Sequence, residues 1–378
     1  MGFHELIKHL HEEYPTLLTI SLTLPMEKAL EQILHFYHTG KRIVLLARGD
    51  PLFFGLASTL LAHIPPQKLL CIPSLSCLQI ACSRLNIPWQ NMAHISFHGK
   101  TSTRSLCALV RKNQPICILC DAAHPPKKIA SFLVERGLSP YYQMHLASQL
   151  LTPNERLQSL SLEEAANTSV SHPCTILLTC KKNVPTITLG LPDSLFTQHG
   201  YCTKQGIRAQ ILASLCIAKD HTIWDIGAGS GAVSLEAASL AYEGQVFAIE
   251  QNQERLERIY QLRNQLACVN LEIVHTKAPK NLNTLPVADG IFIGGGLSKN
   301  QNLFNESLRL LKPGGRLTVS IVLLETLNKC LTLLKTLHLP HTLTQCHISQ
   351  LSDLGMGSHL KAQNPIFLLT TQKKANTP

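Results

Sequence analysis

A glycine-rich stretch at residues 222–238 constrains the fold more than any other part of this sequence. It reads TIWDIGAGSGAVSLEAA: an apolar run that meets Asp225, then three glycines alternating with small residues, then a helical pattern. Glycines permit a tight turn and let a ligand approach the backbone, and the N-terminus of the next helix offers free N–H groups. The pattern predicts a strand–loop–helix unit that binds a ligand at the carboxyl edge of an α/β sheet.

Two acidic residues narrow the choice of ligand. Asp225 precedes the loop, where its charge opposes a pyrophosphate and suits an ammonium group. Glu250 ends the next predicted strand, where an acid can accept both hydroxyls of a ribose. S-adenosylmethionine contains both a ribose and an amino-acid group, and we expect it as the cofactor. A dinucleotide is the alternative, because Gly227-x-Gly229-x-x-Ala232 also fits the relaxed dinucleotide fingerprint. A third interpretation is a turn that binds nothing.

Three further segments belong to the same predicted site. The segment 277–279 (KAP) follows the third strand, where a backbone amide can meet an adenine. Gly294 and Gly295 end the fourth strand and leave room for a substrate beside the reactive methyl group, or else form a flexible turn. Arg208 is a candidate clamp for substrate carboxylates, with a surface helix residue as the alternative. No catalytic residue is identified; Glu325 is a candidate base, with a helix-capping or surface acid as the alternative.

Strand and helix patterns alternate along both halves of the chain, which predicts two α/β domains. The first, residues 1–183, has strand-like runs such as 41–51 and is expected to form a largely parallel sheet. The second, residues 184–378, is expected to form a Rossmann-like, seven-stranded sheet with an antiparallel finish. The segment 181–200 carries two prolines and no clear period, and we place the boundary there.

Composition and charge restrict the class of protein. The chain has 378 residues with 45% hydrophobic and 15% charged, which is typical of a folded protein. Without a membrane-length apolar run or a signal peptide, it is expected to be cytoplasmic. The net charge of +10 suits a polyanionic small molecule or a nucleic acid, but no concentrated basic tract favours nucleic acid. The 13 cysteines and 18 histidines form no metal motif, so buried thiols and no bound metal are expected.

The order of motifs resembles a known pair of enzymes. TKQGIRAQILASL, WDIGAGSGAVSLEAA, AIE, KAP, FIGGG and LKPGGRL are similar to the precorrin-6B C15-methyltransferase and decarboxylase of cobalamin synthesis. In the first half ARGDPLFFG, IPSLSCLQIACSRLNIPW, ISFHGK and ILCDAAHPPKKIASFLVERG resemble the C5-methyltransferase of the tetrapyrrole methylase family. The chain thus resembles the precorrin-6Y C5,15-methyltransferase (decarboxylating) family, over about residues 40–372.

The resemblance implies site residues and a reaction. In the second domain it implies that the cofactor is held by Thr203, Asp225, Gly227, Ala228, Gly229, Ser230, Gly231, Glu250 and Ala278. In the first it implies a cofactor site at Gly49, Asp50, Pro51, Ser76 and Cys77. The implied function is C-methylation of a polycarboxylated tetrapyrrole, with or without cobalt, at C5 and C15 with decarboxylation of a ring acetate. Assembly as a homo-oligomer through the second domain is also implied.

Two features depart from the family pattern. The first 25 residues contain one glycine, Gly2, where the family has a strand and a GxGxG loop, and Arg48 replaces the serine of ASGDP. We therefore expect the first domain to be N-terminally incomplete. Two other functions remain open: a methyltransferase acting on RNA, which the net charge allows, and a non-catalytic remnant or scaffold.

Overall fold

The computed structural model describes residues 12, 14, 16, 19–20, 25–47, 49–98, 103–196, 202–297, 300 and 302–375. Within these ranges the chain forms a five-stranded sheet, a seven-stranded sheet and a separate two-stranded hairpin. No helix in the described ranges is long and apolar enough to cross a membrane.

The first half contains the five-stranded sheet, with strand order β1-β2-β5-β3-β4. Its strands are β1 (Ala93–Ser96), β2 (Ile116–Leu119), β3 (Tyr142–Ser148), β4 (Arg156–Leu160) and β5 (Cys174–Cys180). Its helices are α1 (Met26–His38), α2 (Leu56–Leu60), α3 (Cys77–Leu85), α4 (Arg104–Val110), α5 (Pro126–Val134) and α6 (Leu162–Ala166).

The prediction of a largely parallel first sheet was wrong. Strands β1 and β2 pair in parallel, but β2–β5, β5–β3 and β3–β4 are antiparallel. The apolar run at 41–51 forms an isolated bridge at Leu46 but no strand in its described part, and Val44 is exposed rather than buried. An apolar run becomes a strand only where a neighbouring strand pairs with it, and the sequence pattern alone does not reveal that partner.

The second half contains the seven-stranded sheet, with strand order β11-β14-β10-β9-β6-β7-β8. Its strands are β6 (Thr222–Ile226), β7 (Gln245–Glu250), β8 (Leu271–His275), β9 (Ala288–Ile293), β10 (Leu311–Ile321), β11 (His341–Cys346) and β14 (Ile366–Gln372). Its helices are α7 (Gln205–Leu215), α8 (Ala232–Leu240), α9 (Gln253–Gln265), α10 (Asn302–Leu310) and α11 (Leu324–Thr336). Strand β14 runs antiparallel to both neighbours, which confirms the expected antiparallel finish.

The strand order reverses between β6 and β9, and this reversal locates a ligand crevice. Strand β6 pairs in parallel with β7 on one side and with β9 on the other. Successive side chains of β6 alternate between the two faces, so that Ile223 and Trp224 lie in separate apolar cores. The carboxyl ends of β6 and β9 therefore open a crevice at the edge of a sheet that is buried on both faces.

A hairpin projects between β11 and β14. It consists of β12 (Ser349–Leu354) and β13 (Gly357–Ala362), which pair only with each other within the described ranges. Because β11 is parallel to β10, the hairpin leaves the sheet at the edge that holds the crevice. We call it the hairpin arm.

The two halves pack against each other at the end of α5. The Arg136 guanidinium donates from Nε to the Val269 carbonyl at 3.1 Å and lies 2.5 Å from the Glu272 carboxylate. Gly137 follows with φ +72°, and a Cβ there would meet the Asn264 carbonyl oxygen at 2.1 Å. This contact needs a glycine. The domain boundary between residues 183 and 184 lies between β5 and α7 and stays a prediction.

Candidate active site

A cavity of about 350 Å³ opens at the carboxyl ends of β6, β7, β8 and β9. Its lining includes Ile226, Gly227, Ile249, Glu250, Gln251, Arg255, Thr276, Lys277, Ala278, Gly294, Gly295, Gly296, Asn300 and Leu303. The cavity therefore lies at the strand-order reversal, where open α/β sheets bind their ligands. Its volume suits a small-molecule ligand.

The glycine loop after β6 forms one wall of this cavity. Gly227, Gly229 and Gly231 have φ of +76°, +57° and +76°, a left-handed conformation that side chains disfavour. A Cβ on Gly227 would meet the Gly295 nitrogen at 3.3 Å, and one on Gly231 would meet Ile259 Cγ1 at 3.0 Å. The bare backbone is thus required both for the turn and for the close packing of loop and helix.

Glu250 lies at the end of β7 and is 4% exposed. Its Oε2 accepts the Gly229 N–H at 2.9 Å, and its Oε1 accepts the Gln251 and Asn252 N–H groups at 2.9 and 3.0 Å. These bonds fix the carboxylate at the cavity wall and tie it to the glycine loop. The Arg255 guanidinium lies 4.0 Å away on the exposed side.

Asp225 lies beneath the loop rather than in the cavity. It is 1% exposed, and Ser234 on α8 donates a hydrogen bond to its Oδ2, while its Oδ1 has no partner among the described residues. Burial raises the pKa of Asp225 to about 7, an effect that the Ser234 hydrogen bond opposes. The direct pairing with a ligand ammonium group that the sequence favoured has no support in this geometry, because Asp225 does not line the cavity.

The proposed role of Arg208 as a substrate clamp was wrong. Its side chain is 0% exposed and is held by Glu236 at 2.9 Å and Asp193 at 2.7 Å. It also donates to the carbonyls of Leu191 and Thr203. Because four of its five N–H groups are bonded and its side chain is fully buried, Arg208 does not reach a substrate and instead joins α7 to α8 and the preceding segment.

The sequence-predicted residues divide into two groups in the second half. Gly227, Glu250, Ala278, Gly294 and Gly295 line the cavity. The remainder do not line it: Thr203, Asp225, Ala228, Gly229, Ser230, Gly231 and Glu325.

Sequence reasoning missed several residues that line the cavity. Arg255, Thr276 and Asn300 contribute to the polar part of its wall, together with Lys277 from the predicted segment 277–279. Thr276 follows β8 directly, so the rule that strand ends form the site could have included it. Arg255 and Asn300 gave no such signal, because they come from a helix and a connecting loop.

In the first half, two of the predicted segments lie together. Gly49 has φ +69°, and a Cβ there would lie 3.7 Å from the Leu75 carbonyl and 3.8 Å from Ser76 Cα. Asp50 accepts the Leu52 N–H at 2.7 Å. Ser76 caps α3 by accepting the Gln79 N–H at 3.2 Å. Because the loop at Gly49 lies against the start of α3 at Ser76, the two segments could contribute to a single binding site. The role of these residues in binding a cofactor stays a prediction. Arg48 lies outside the described residues.

The strand order of the second sheet and its glycine loop define a Rossmann-like domain of the class I methyltransferase type. Two family profiles match the chain, one described as precorrin methyltransferase domain at residues 194–373 and one as tetrapyrrole (corrin/porphyrin) methylases at residues 4–166. A Sinorhizobium protein named precorrin-6Y C(5,15)-methyltransferase (decarboxylating) is 30% identical over 303 residues, which are 79% of this chain and 72% of that protein. The chain belongs to the precorrin-6Y C5,15-methyltransferase (decarboxylating) family.

Two further relatives match the second half. A Salmonella typhimurium protein named cobalt-precorrin-6B C(15)-methyltransferase (decarboxylating) is 34% identical over 194 residues, 49% of this chain and 97% of that protein. The crystal structure of a precorrin-6y C5,15-methyltransferase from Geobacter metallireducens is 31% identical, covers 49% of this chain and 98% of that chain, and has a TM-score of 0.47.

Proposed function

We propose that this protein transfers methyl groups from S-adenosylmethionine to C5 and C15 of a precorrin and removes carbon dioxide from a ring acetate. Membership of the family supports the reaction. The observation that carries the proposal is the cavity in which the glycine loop, Glu250 and the ends of four parallel strands meet. The second half would act at C15 with decarboxylation, and the first half at C5.

The cavity fits S-adenosylmethionine part by part. The backbone of Gly227, beside the close approach to Gly295, would receive the methionine end. Glu250 would accept hydrogen bonds from the ribose hydroxyls, because its carboxylate is fixed at the cavity wall and has only acceptor oxygens. Ala278 would pack on the adenine. The Glu250 carboxylate fixed at this wall would repel a pyrophosphate and accept hydrogen bonds from a nucleoside.

Cations surround the cavity mouth and suit a polycarboxylated substrate. Arg255 is exposed and lies at the rim, and Lys277 lines both this cavity and an adjoining groove that contains Lys280. The groove has a volume of about 520 Å³. With the net charge of +10, these side chains would attract and orient a multiply charged ring. We propose that they replace Arg208 as the carboxylate-binding residues.

When bound, S-adenosylmethionine supplies an electrophilic methyl group on a sulfonium that leaves readily. The chain's own residues supply position and exclusion of water. Ile226, Ile249 and Leu303 give the cavity apolar walls, and Gly294 and Gly295 leave its β9 side open for the ring carbon. For decarboxylation the conjugated ring itself accepts the electron pair, so the protein need only hold the ring acetate in place.

The hairpin arm supports assembly through the second half. It exposes Leu351, Leu354, Met356 and Leu360, of which Met356 is fully exposed. An isolated two-stranded hairpin is marginal in water and this one carries large apolar side chains, so contact with other copies would bury them. We propose a homo-oligomer. Sedimentation should show it, and Leu360→Glu should give smaller species.

Product analysis tests the proposed function. The protein is incubated with S-adenosylmethionine and precorrin-6B or its cobalt form, and the product mass is measured together with released carbon dioxide. The proposal predicts a product that has gained two methyl groups and lost one carboxyl group. Methyl transfer to RNA, or no transfer to any acceptor, would contradict the proposal and favour the RNA-methyltransferase or scaffold alternative.

Gly295→Val tests the position of the substrate in the cavity. A Cβ at Gly295 meets nothing within 4 Å and its φ is not in the left-handed region, so valine fits the fold and projects into open space beside the loop. We expect the variant to keep its thermal stability and lose C15 methylation. Unchanged C15 methylation in a folded variant would place the substrate elsewhere.

A further inference from the structure

A second polar cluster lies at the carboxyl edge of the five-stranded sheet, in the half of the chain remote from the cavity. It consists of Ser96, His98, Asp121 and His124, and we call it the edge cluster. Strands β1 and β2 are parallel, with Ser96 opposite Leu119. His98 and Asp121 each come two residues after this register pair. Two adjacent parallel strands therefore deliver the cluster to the edge where such sheets bind ligands.

Asp121 and His124 form a fixed pair. The Asp121 Oδ1 accepts the His124 backbone N–H at 2.7 Å and lies 3.0 Å from His124 Nδ1. The His124 ring stacks on Phe97 with centroids 4.7 Å apart and is largely buried. Burial acts to raise the pKa of Asp121. Two hydrogen bonds from His124, together with the electrostatic effect of His124 and His98, outweigh burial and lower that pKa. Asp121 is therefore a carboxylate held in one place.

His98 is the exposed member of the cluster. Its Nδ1 lies 3.0 Å from Ser96 Oγ, and its backbone N–H donates to the same oxygen at 3.3 Å. Because Ser96 is buried, its hydroxyl holds the exposed His98 ring in a fixed position. The hydroxyl engages Nδ1, which leaves Nε2 of His98 for a ligand. Asp121 stands at the matching position after β2, so the carboxylate and this imidazole follow neighbouring parallel strands at the same edge of the sheet.

The edge cluster adjoins the predicted first-half cofactor segments. Gly49 lies against Ser76, and Cys77 begins α3 directly after it. Cys77 packs against an apolar cluster that contains Leu119, the last residue of β2. Because Asp121 follows Leu119 by two residues, the start of α3 and the edge cluster occupy the same end of the sheet.

The proposed C5 reaction needs a proton acceptor. A ring carbon forms a bond to the methyl group with a ring electron pair, while the carbon–sulfur bond breaks and its electrons stay on sulfur. For the carbon to keep its place in the conjugated ring, its hydrogen must then leave as a proton and its bonding pair return to the ring. A neutral imidazole beside a carboxylate is suited to accept that proton.

We propose that His98 accepts the proton released from C5 and that Asp121, held by His124, stabilises the resulting imidazolium. This inference rests on the proposed function, since it assigns the base for one of its two methyl transfers. Asp121 is a positioning residue, because it acts through His98. No cavity residue of the second half takes part.

The test compares His98→Gln, Asp121→Asn and His63→Gln in the full chain, the last being an exposed histidine outside the edge cluster. C5 and C15 methylation are assayed separately by product structure, with carbon dioxide as a third readout. His98→Gln should lower the C5 rate by about 10² or more and leave C15 methylation and carbon dioxide release unchanged. His63→Gln should match the native protein.

Asp121→Asn gives an independent readout. The substitution keeps the side-chain size and removes the charge that stabilises the imidazolium, so it should lower kcat for C5 methylation by about tenfold and leave the KM for the precorrin unchanged. Unchanged C5 methylation in His98→Gln, or an unchanged kcat in Asp121→Asn, would overturn the inference. A native protein that methylates C15 alone would overturn it too. A native protein that forms no methylated precorrin would refute the proposed function itself.

Discussion

Replacing Arg208 tests whether the residue stabilises the fold or binds substrate. Its guanidinium is fully buried between Glu236, 1% exposed in its side chain, and Asp193. Arg208→Met keeps much of the side-chain volume but leaves the Glu236 carboxylate buried with the Leu191 N–H as its remaining partner. Removing one partner of a buried pair costs about 3–5 kcal/mol. That is a large share of the ~5–15 kcal/mol by which a domain is stable.

Urea unfolding followed by Trp224 fluorescence measures this loss. Trp224 is buried in the second half, and a Trp89→Phe background removes the other tryptophan. Arg208→Met should unfold at a much lower urea concentration. Arg208→Met combined with Glu236→Gln should recover much of the difference, because the fully buried carboxylate is then neutral, while Asp193 is partly exposed and keeps the Gln205 N–H. The reasoning is refuted if Arg208→Met unfolds like the parent protein and instead raises the KM for the precorrin.

Three further predictions concern backbone and charge. Gly137→Ala should lower the free energy of unfolding by about 2–4 kcal/mol in urea titrations. Its control is Gly40→Ala, which has nearly the same φ but no neighbour within 4 Å and should cost roughly 1 kcal/mol. Gly231→Ala should weaken S-adenosylmethionine binding by about tenfold or more in calorimetry, whereas Gly314→Ala, left-handed but open, should not. Burial raises the pKa of Asp225 from 3.8 to about 7, so the folded chain retains a proton that the unfolded chain releases. Stability should therefore fall as pH rises from about 4 to 7, and Asp225→Asn should flatten that slope in thermal melts; equal melts for both would contradict the assignment.

The local sequence pattern was sufficient to predict the central residues of the cavity. Gly227 was predicted because it follows a strand, and Glu250 because it ends one. Ala278 lies in the segment that follows the next strand and was assigned through the family resemblance. Parallel strands bring these ends to one edge of the sheet. The seven-stranded sheet with its antiparallel finish was predicted for the same reason, since strand and helix periods alternate clearly along the second half.

Tertiary packing decided what local pattern could not. Arg208 gives the sequence signal of an exposed helical cation, and its burial depends on Asp193 and Glu236, which lie far from it in sequence. Asp225 precedes the loop as predicted, but the alternation of β6 turns its side chain toward α8. The hairpin arm was not predicted, because its strands are polar and pair with each other outside the seven-stranded sheet.

The first half shows most clearly where prediction of the fold from sequence pattern fails. Its apolar runs predicted strands, but in the described residues the segment 41–47 forms an isolated bridge at Leu46 rather than a strand. The strands that do form include the antiparallel pair β3–β4, whose exposed β4 has little apolar pattern. The predicted absence of an N-terminal loop concerns residues that lie mostly outside the described ranges and stays a prediction.

Calorimetric titration of the full chain with S-adenosylmethionine tests the central claim most directly, namely that the cavity at Glu250 holds this cofactor. The account predicts saturable binding that Glu250→Gln weakens by about tenfold or more, because the charged acceptor for the ribose hydroxyls is lost. The control Glu243→Gln changes a partly exposed acid outside the cavity and should bind like the native protein, with a native melting temperature to within a few degrees. Absence of binding in the native chain, or equal affinity in native and Glu250→Gln proteins, would contradict the account.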